Sequence, residues 1–481
     1  MCWKKEKFDI IIEGGQSNAE GTGIGPVRKE YIPSQKVLYL NAQKEVTVTE
    51  DGLQIEYADA PFEIEMAQER LNNGNIYGDL ALTFSESYIN QGYLASDRKL
   101  LIIRAAIGGT GFQKKQWGIG NILYLKMIEM VEYALSLNSE NRVVGFLWHQ
   151  GEHDAFEGNS PQNYRVQLLD MLQDVRNRFG NIPFIAGEFV HDWTSKNFEI
   201  CIPILHTLRK LIKETDNAAF VETSDLLSNN QKTGNGDDIH FCRDALHELG
   251  YRYFDAYNAL LCKRKGVALK KVMRLIAIGD SITAGTYFTA DGGCFISAPN
   301  YAMRLKELLC ADVLENRAIS GVSYSATSPV MSDFAIATYC ADIVGGDNII
   351  VAAGTNDYGT NVALGEPTDT EDVSFYGAVD YCLRTIKKNN PGAEMSVVLP
   401  LKRRDENIPN KAGFTLNDYR AAIAYKAQLL GALIVDGSKL PINPNDEKDT
   451  QDYIYDGVHF NEQGHEIIAE FIYREYCAKK V

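Results

Sequence analysis

Nine cysteines in 481 residues is a small and odd number, and no two of them form a C-x-x-C pair. Thiols so scattered exclude a disulfide framework and a zinc knuckle. Long apolar runs are missing too: no stretch approaches the ~20 residues that a membrane-spanning helix needs. The run Phe8–Ile12, interrupted by Asp9, falls short of the ~7–15 residues of a signal-peptide core, and no small-residue cleavage site follows it. These absences lead us to expect a cytoplasmic protein. A basic surplus is also absent. Lys and Arg number 48 against 64 Asp and Glu, a net charge of −16 that falls equally, eight and eight, on residues 1–265 and 266–481. Both halves would repel a phosphate backbone or an anionic bilayer, so neither nucleic acid nor membrane is an expected partner. What remains, 45% hydrophobic and 23% charged residues, is the balance of a globular chain with room for about two to four domains.

The same plan runs through the chain twice. FDIIIEGGQSNAEG (8–21) and RLIAIGDSITAG (274–285) are apolar runs that end in Gly and then Ser, each reading as a buried parallel strand that turns tightly into a helix. RAAIGGTG (104–111) matches RAISGVSY (317–324), and VVGFLWHQGEHD (143–154) matches NIIVAAGTNDYG (348–359). DDIHFCRDALHELGYRYF (237–254) matches DGVHFNEQGHEIIAEFIY (456–473), each an Asp-x-x-His-Phe turn before an amphipathic helix. Between the copies lies the basic, Gly-containing stretch 262–272, which places a boundary near residue 266 and predicts domains 1–265 and 266–481. Strands alternating with helices predict two three-layer α/β domains with mostly parallel sheets. The polar loops then gather at the carboxyl edge of each sheet, where open α/β folds bind ligands.

Serine-hydrolase chemistry needs a nucleophile, an imidazole base, a group orienting the base, and donors for the developing oxyanion. Each half offers one of each. In the first, Ser17 is the nucleophile, His240 the base and Asp237 the orienting acid, with the neighbouring Asp238 as the alternative that the spacing in the second half disfavours. In the second, the roles fall to Ser281, His459 and Asp456. Oxyanion donors would be the serine amides, the amides of Gly109 and Gly321, whose lack of a Cβ lets backbone approach the substrate, and the side-chain amides of Gln150 and Asn356.

At these residues the second half resembles the SGNH (GDSL-type) hydrolases. GDSITAG carries Ser281, AISG carries Gly321, AGTND carries Asn356, and DGVH carries Asp456 and His459. The first half resembles the sialate O-acetylesterase-like branch that includes carbohydrate esterase family 6. Its marks are GGQSNAEG, AAIGGTG, WHQGEHD with Gln150 in place of Asn, and DDIH. The resemblance implies a flavodoxin-like fold in each half, ester hydrolysis without a metal or other cofactor, and acetylated oligosaccharides or acetylated sugars such as sialic acid, xylan or mannan fragments as substrates. Two further readings stay open: a lipid esterase or thioesterase in the second half, and one half acting only as a glycan-binding module.

Other signals are weaker. His149-x-x-Glu152-His153 matches an inverted zincin pattern, but Gly151 interrupts the helix that such a site needs. The glycines at 21, 23 and 25 lack the spacing and the Lys-Ser/Thr of a nucleotide loop. Glu152 reads as a loop fastener or as a partner orienting His240. Trp117 is a candidate wall of a sugar subsite, with a packing role an equal reading, and Tyr358, next to Asn356, is the nearest candidate pocket wall in the second half.

Overall fold

The computed structural model describes residues 3–49, 52–268 and 271–479. The first apolar run forms strand β1 (Lys7–Gly15), in which Phe8, Ile10, Ile11 and Ile12 are fully buried. Burial of consecutive residues is what a parallel strand covered on both faces requires. The interrupting Asp9 is buried as well and is neutralised there, accepting hydrogen bonds from Arg98, Arg142 and the Tyr88 hydroxyl. A buried carboxylate with two guanidinium partners avoids the cost of an unpaired charge.

The first sheet contains β1, β2 (Val37–Asn41), β3 (Glu63–Met66), β4 (Arg98–Arg104), β5 (Arg142–His149), β6 (Phe184–Gly187) and β7 (Ala218–Val221). Their spatial order is β7-β6-β5-β1-β4-β2-β3. Every pairing is parallel except that of β3 with β2. The second sheet contains β8 (Arg274–Gly279), β9 (Val313–Asn316), β10 (Asn348–Ala352), β11 (Glu394–Val398) and β12 (Leu433–Val435), all parallel, in the order β9-β8-β10-β11-β12. Counted within its unit, that order is 2-1-3-4-5, the flavodoxin-like arrangement with its switch point beside the first strand. Removing the edge pair β2 and β3 from the first sheet leaves β4-β1-β5-β6-β7, the same order.

The helix Arg243–Lys265 ends at Gly266, whose φ of +66° lets its amide turn back onto the carbonyls of Cys262 and Lys263. The chain divides into two compact units, Met1–Lys270 and Lys271–Val481. In the first, the Leu80–Asn90 helix packs on Arg243–Lys265, and Pro161–Phe179 packs on Phe198–Glu214. The first unit also inserts two antiparallel hairpins, Lys44–Thr49 with Gly52–Tyr57 and Arg70–Asn72 with Asn75–Tyr77. Among the described residues the second has one, Thr286–Phe288 with Cys294–Ile296. Cys201, Cys242, Cys262, Cys310, Cys340, Cys382 and Cys477 are free thiols, while Cys2 lies outside the described residues. Among the described residues, no helix is long and apolar enough to cross a membrane.

Candidate active sites

Each unit's first strand runs to a glycine that touches the neighbouring strand. A Cβ on Gly15 would lie 2.1 Å from the His149 carbonyl oxygen, and one on Gly279 would lie 2.3 Å from that of Ala352. Only glycine permits this approach. Two residues later the chain enters a short helix, Ser17–Glu20 or Ser281–Ala284, with the serine at its first position. An amide there has no partner within its own helix and is free to point at a ligand.

In the first unit Ser17 Oγ lies 2.9 Å from His240 Nε2, and His240 Nδ1 lies 2.9 Å from both oxygens of Asp237. With the imidazole proton on Nδ1, the ring donates to the carboxylate and accepts from the hydroxyl. Asn229 also donates to Asp237, at 2.9 Å. Partial burial opposes the Asp237 charge, but the His240 and Asn229 hydrogen bonds outweigh it and hold the carboxyl below its ordinary range. The alternative acid, Asp238, pairs with Lys196 at 2.9 Å instead. The second unit repeats the line. Ser281 Oγ is 2.8 Å from His459 Nε2, and His459 Nδ1 is 2.6 Å from Asp456. Burial again opposes the charge, and here the hydrogen bonds from the His459 ring and from the His459 and Val458 amides keep the Asp456 carboxyl low.

The glycine loops come to the same place. Gly109 and Gly321 have φ of +68° and +80°, left-handed values that favour glycine. A Cβ on Gly108 would lie 3.3 Å from Ser17 Cβ, and one on Gly109 would lie 3.0 Å from Leu53 Cδ1 of the first hairpin. That hairpin therefore stands against the loop beside Ser17. Each loop is fastened by a buried aspartate: Asp154 accepts from the amides of Phe112 and Gln113, and Asp357 from those of Tyr324 and Ser325.

The expected pairing of Gln150 with Asn356 is corrected here. Gly15 pairs with His149, and Gly279 with Ala352. Counting on from those pairs, Gln150 stands where Ala353 does, Gly151 where Gly354 does, and His153 where Asn356 does. The matching roles of Asp154 and Asp357, one residue further, agree with this register. Gln150 is fully buried, and its amide nitrogen donates to Asp154 at 2.5 Å and to the Thr110 carbonyl at 3.3 Å. Both amide protons are spent within the loop, so Gln150 fastens the loop and offers no donor to a ligand. Asn356 is half-buried and spends one proton on the Val322 carbonyl, at 2.9 Å. Its second amide proton remains available.

Of the two readings of Trp117 the structure takes the packing one, and Tyr358 as a pocket wall is corrected. Trp117 is completely buried, donates from Nε1 to Thr110 Oγ1 and packs edge-on against Trp148. The Tyr358 side chain is 3% exposed and donates to the carbonyls of Asp405 and Ile408. Neither can face a substrate. His149 ends strand β5 with its Nδ1 3.0 Å from the Tyr253 hydroxyl, while His153 sits on the separate helix Glu152–Phe156. No one helix therefore presents the two histidines together.

Glu152 is buried and accepts from Asn18 Nδ2 at 2.9 Å. Asn18 in turn accepts from the Phe241 amide and donates to the Ile239 carbonyl, the two residues flanking His240. Burial opposes the Glu152 charge, but His149 and Asn18 outweigh it and keep the carboxyl low. Sequence alone left Glu152 between two roles, because its link to residue 240 passes through Asn18, a partner that no local spacing reveals.

Residues 7–259 match the family model described as carbohydrate esterase, sialic acid-specific acetylesterase, and residues 277–467 match the GDSL-like lipase/acylhydrolase family. No curated protein matches the chain. Similar solved structures include NanS, 16% identical over 54% of this chain and 99% of that one, with a TM-score of 0.43. A carbohydrate acetylesterase from Xanthomonas citri is 16% identical over 56% of this chain and 59% of its own, with a TM-score of 0.37. A protein from Lactobacillus plantarum is 24% identical over 44% of this chain and its full length, with a TM-score of 0.37.

Proposed function

The chain belongs to the carbohydrate esterases of the sialic acid-specific acetylesterase family, with a GDSL-like domain following in tandem, and we propose that this ester hydrolase removes O-acetyl groups from sugars at two serine sites. The observation that carries the reading is the pair of unbroken hydroxyl–imidazole–carboxylate lines, Ser17–His240–Asp237 and Ser281–His459–Asp456. The serine oxygen bonds to the acetyl carbonyl carbon as its proton passes to the histidine Nε2. The collapsing intermediate expels the sugar oxygen, which takes that proton. Water then gives a proton to the same nitrogen as its oxygen bonds to the acyl carbon, and the second intermediate collapses to free the acid, which ionises to acetate, and the serine oxygen, which takes the proton back from the histidine. The aspartate keeps the imidazole in the required tautomer throughout. The serine amides, Gly109, Gly321 and Asn356 are the proposed oxyanion donors.

Acetate release from acetylated xylo-oligosaccharides and O-acetyl sialic acids, measured for Ser17→Ala, Ser281→Ala and the double variant, tests the proposal. Each single variant should keep the activity of the other site, and the double variant should lose both. Full activity in the double variant would overturn the assignment.

The second unit supports a further reading. Phe288 packs edge-on against the His459 ring, with centroids 5.1 Å apart, and a Cβ on Gly321 would lie 3.6 Å from Met331 Cγ. Apolar side chains thus stand against the His459 ring and the Gly321 loop, a setting that also suits a longer acyl chain. A chain-length series of p-nitrophenyl esters on the Ser17→Ala variant decides: preference for acetate retains the sugar esterase at this site, and preference for long chains replaces it with a lipid esterase or thioesterase.

A further inference from the structure

The helix Glu152–Phe156 opens directly after strand β5, capped by Gly151. The His153 amide donates to Gln16 Oε1 at 3.0 Å, which ties this helix to the residue beside Ser17. His153 stands in the register position of Asn356, whose side chain reaches the glycine loop in the other unit. Phe156 lies three residues on, so it shares that face of the helix. Its ring stacks on the His153 imidazole, with centroids 6.4 Å apart and planes at 25°, yet Phe156 is 70% exposed. The corresponding residue in the second unit is Gly359. Polar groups border the two rings: Lys114 pairs with Glu157 at 2.9 Å, and Glu157 Oε1 lies 3.8 Å from His153 Nε2.

We infer that the Phe156–His153 face is the seat of the sugar ring in the Ser17 site, an inference that rests on the reading of this unit as a sugar esterase. A pyranose offers C–H groups on its faces and hydroxyls around its edge. The C–H groups carry partial positive charge and suit the negative face of an aromatic ring. The hydroxyls at the edge suit Glu157 as acceptor and Lys114 as donor. Scattered exposed apolar residues are ordinary on protein surfaces. Phe156 differs in being stacked on a second ring, on a helix tied through Gln16 to the residue before Ser17, with hydrogen-bonding groups beside it. Burial lowers the proton affinity of His153, which leaves its ring neutral and able to extend the platform.

The test uses the full chain carrying Ser281→Ala, so that only the first site turns over. Its substrates are acetylated xylo-oligosaccharides, O-acetyl sialic acid and ethyl acetate, the last having no ring. Phe156→Ala should raise KM for a sugar ester about tenfold with little change in kcat, lowering the ratio of sugar-ester to ethyl-acetate kcat/KM by the same factor. Phe156→Trp should restore the ratio, and Phe156→Ile should not. Because Phe156 is exposed, the thermal midpoint of each variant should match that of the parent. The inference is overturned if the ratio holds in Phe156→Ala, if both substrates lose activity in parallel, or if Ile restores it as well as Trp. A parent that cleaves ethyl acetate but no sugar ester overturns the sugar-esterase reading and the platform with it.

Discussion

After its serine the first unit places Asn18, and the second places Ile282. From that position Asn18 binds backbone on both sides of His240 and is itself held by the buried Glu152. Ile282 can do none of this, and Thr355 replaces Glu152. In the second unit Asp456 takes the amides of His459 and Val458 as well as the His459 ring. Both imidazoles are thus held by the aspartate of their own turn, and the first unit adds a tie from across the fold, through a buried carboxylate, to the backbone on either side of its histidine. Equal distances from serine to histidine therefore do not imply equal tolerance of substitution.

The largest effect that tests this contrast comes from the acids. Replacing the orienting aspartate of such a line lowers kcat by about 10⁴-fold. Asp237→Asn in a Ser281→Ala background, and Asp456→Asn in a Ser17→Ala background, should each do so in acetate-release assays. If Asp237→Asn keeps near-parental kcat, the link through Asn18 and Glu152 alone suffices to orient His240. A smaller loss is expected at Asn356. Its change to Ala should lower kcat of the second site by ~10²–10³-fold through loss of an oxyanion donor. Gln150→Ala should lower the thermal midpoint of the first unit more than its kcat. A loss of kcat as large as that of Asn356→Ala, with an unchanged midpoint, would restore Gln150 as a donor.

Trp117→Ala should cost about 3–5 kcal/mol of stability by opening a cavity in the core. The KM of the folded protein for sugar esters should stay unchanged. Denaturant unfolding and steady-state kinetics measure the two quantities separately.

The smallest expected effect concerns pH. Burial raises the Asp357 carboxyl to about 7, against the pull of the Tyr324 and Ser325 amides. An acid raised on folding binds its proton more tightly in the native state. Its contribution to stability is therefore full below the ordinary carboxylate range and is lost as pH rises through about 7. Asp237 and Asp456 lie below their ordinary range, so their contributions persist above it and fade only at lower pH. Melting curves of Asp357→Asn between pH 4 and 8 should show a flatter decline in the second unit's midpoint than the parent shows.

Much of this was legible in the linear chain. Apolar runs ending in Gly and Ser mark strands β1 and β8 because a strand buried on both faces must be apolar throughout. Ser17, Ser281 and the two Asp-x-x-His turns stand out because each motif recurs in the same order. The pairing of Gln150 with Asn356 failed for a physical reason. Both are amides after a strand, but their register depends on which residue of β5 sits beside Gly15, a contact between distant segments. Trp117 stayed open and Tyr358 misled for a like reason, since whether an aromatic faces inward depends on packing partners far along the chain. The insertions of the first unit, among them the hairpin that brings Leu53 to Gly109, carry no repeat against which to read them.

In both units the serine stands near the beginning of the fold and the histidine near its end, 223 and 178 residues apart. A chain emerging from the ribosome therefore exposes each hydroxyl long before the base that activates it. On the proposed assignment, reactivity at either serine would arrive only when the closing Asp-x-x-His turn of that unit is in place, which would make each activity a report on whether its own fold has closed.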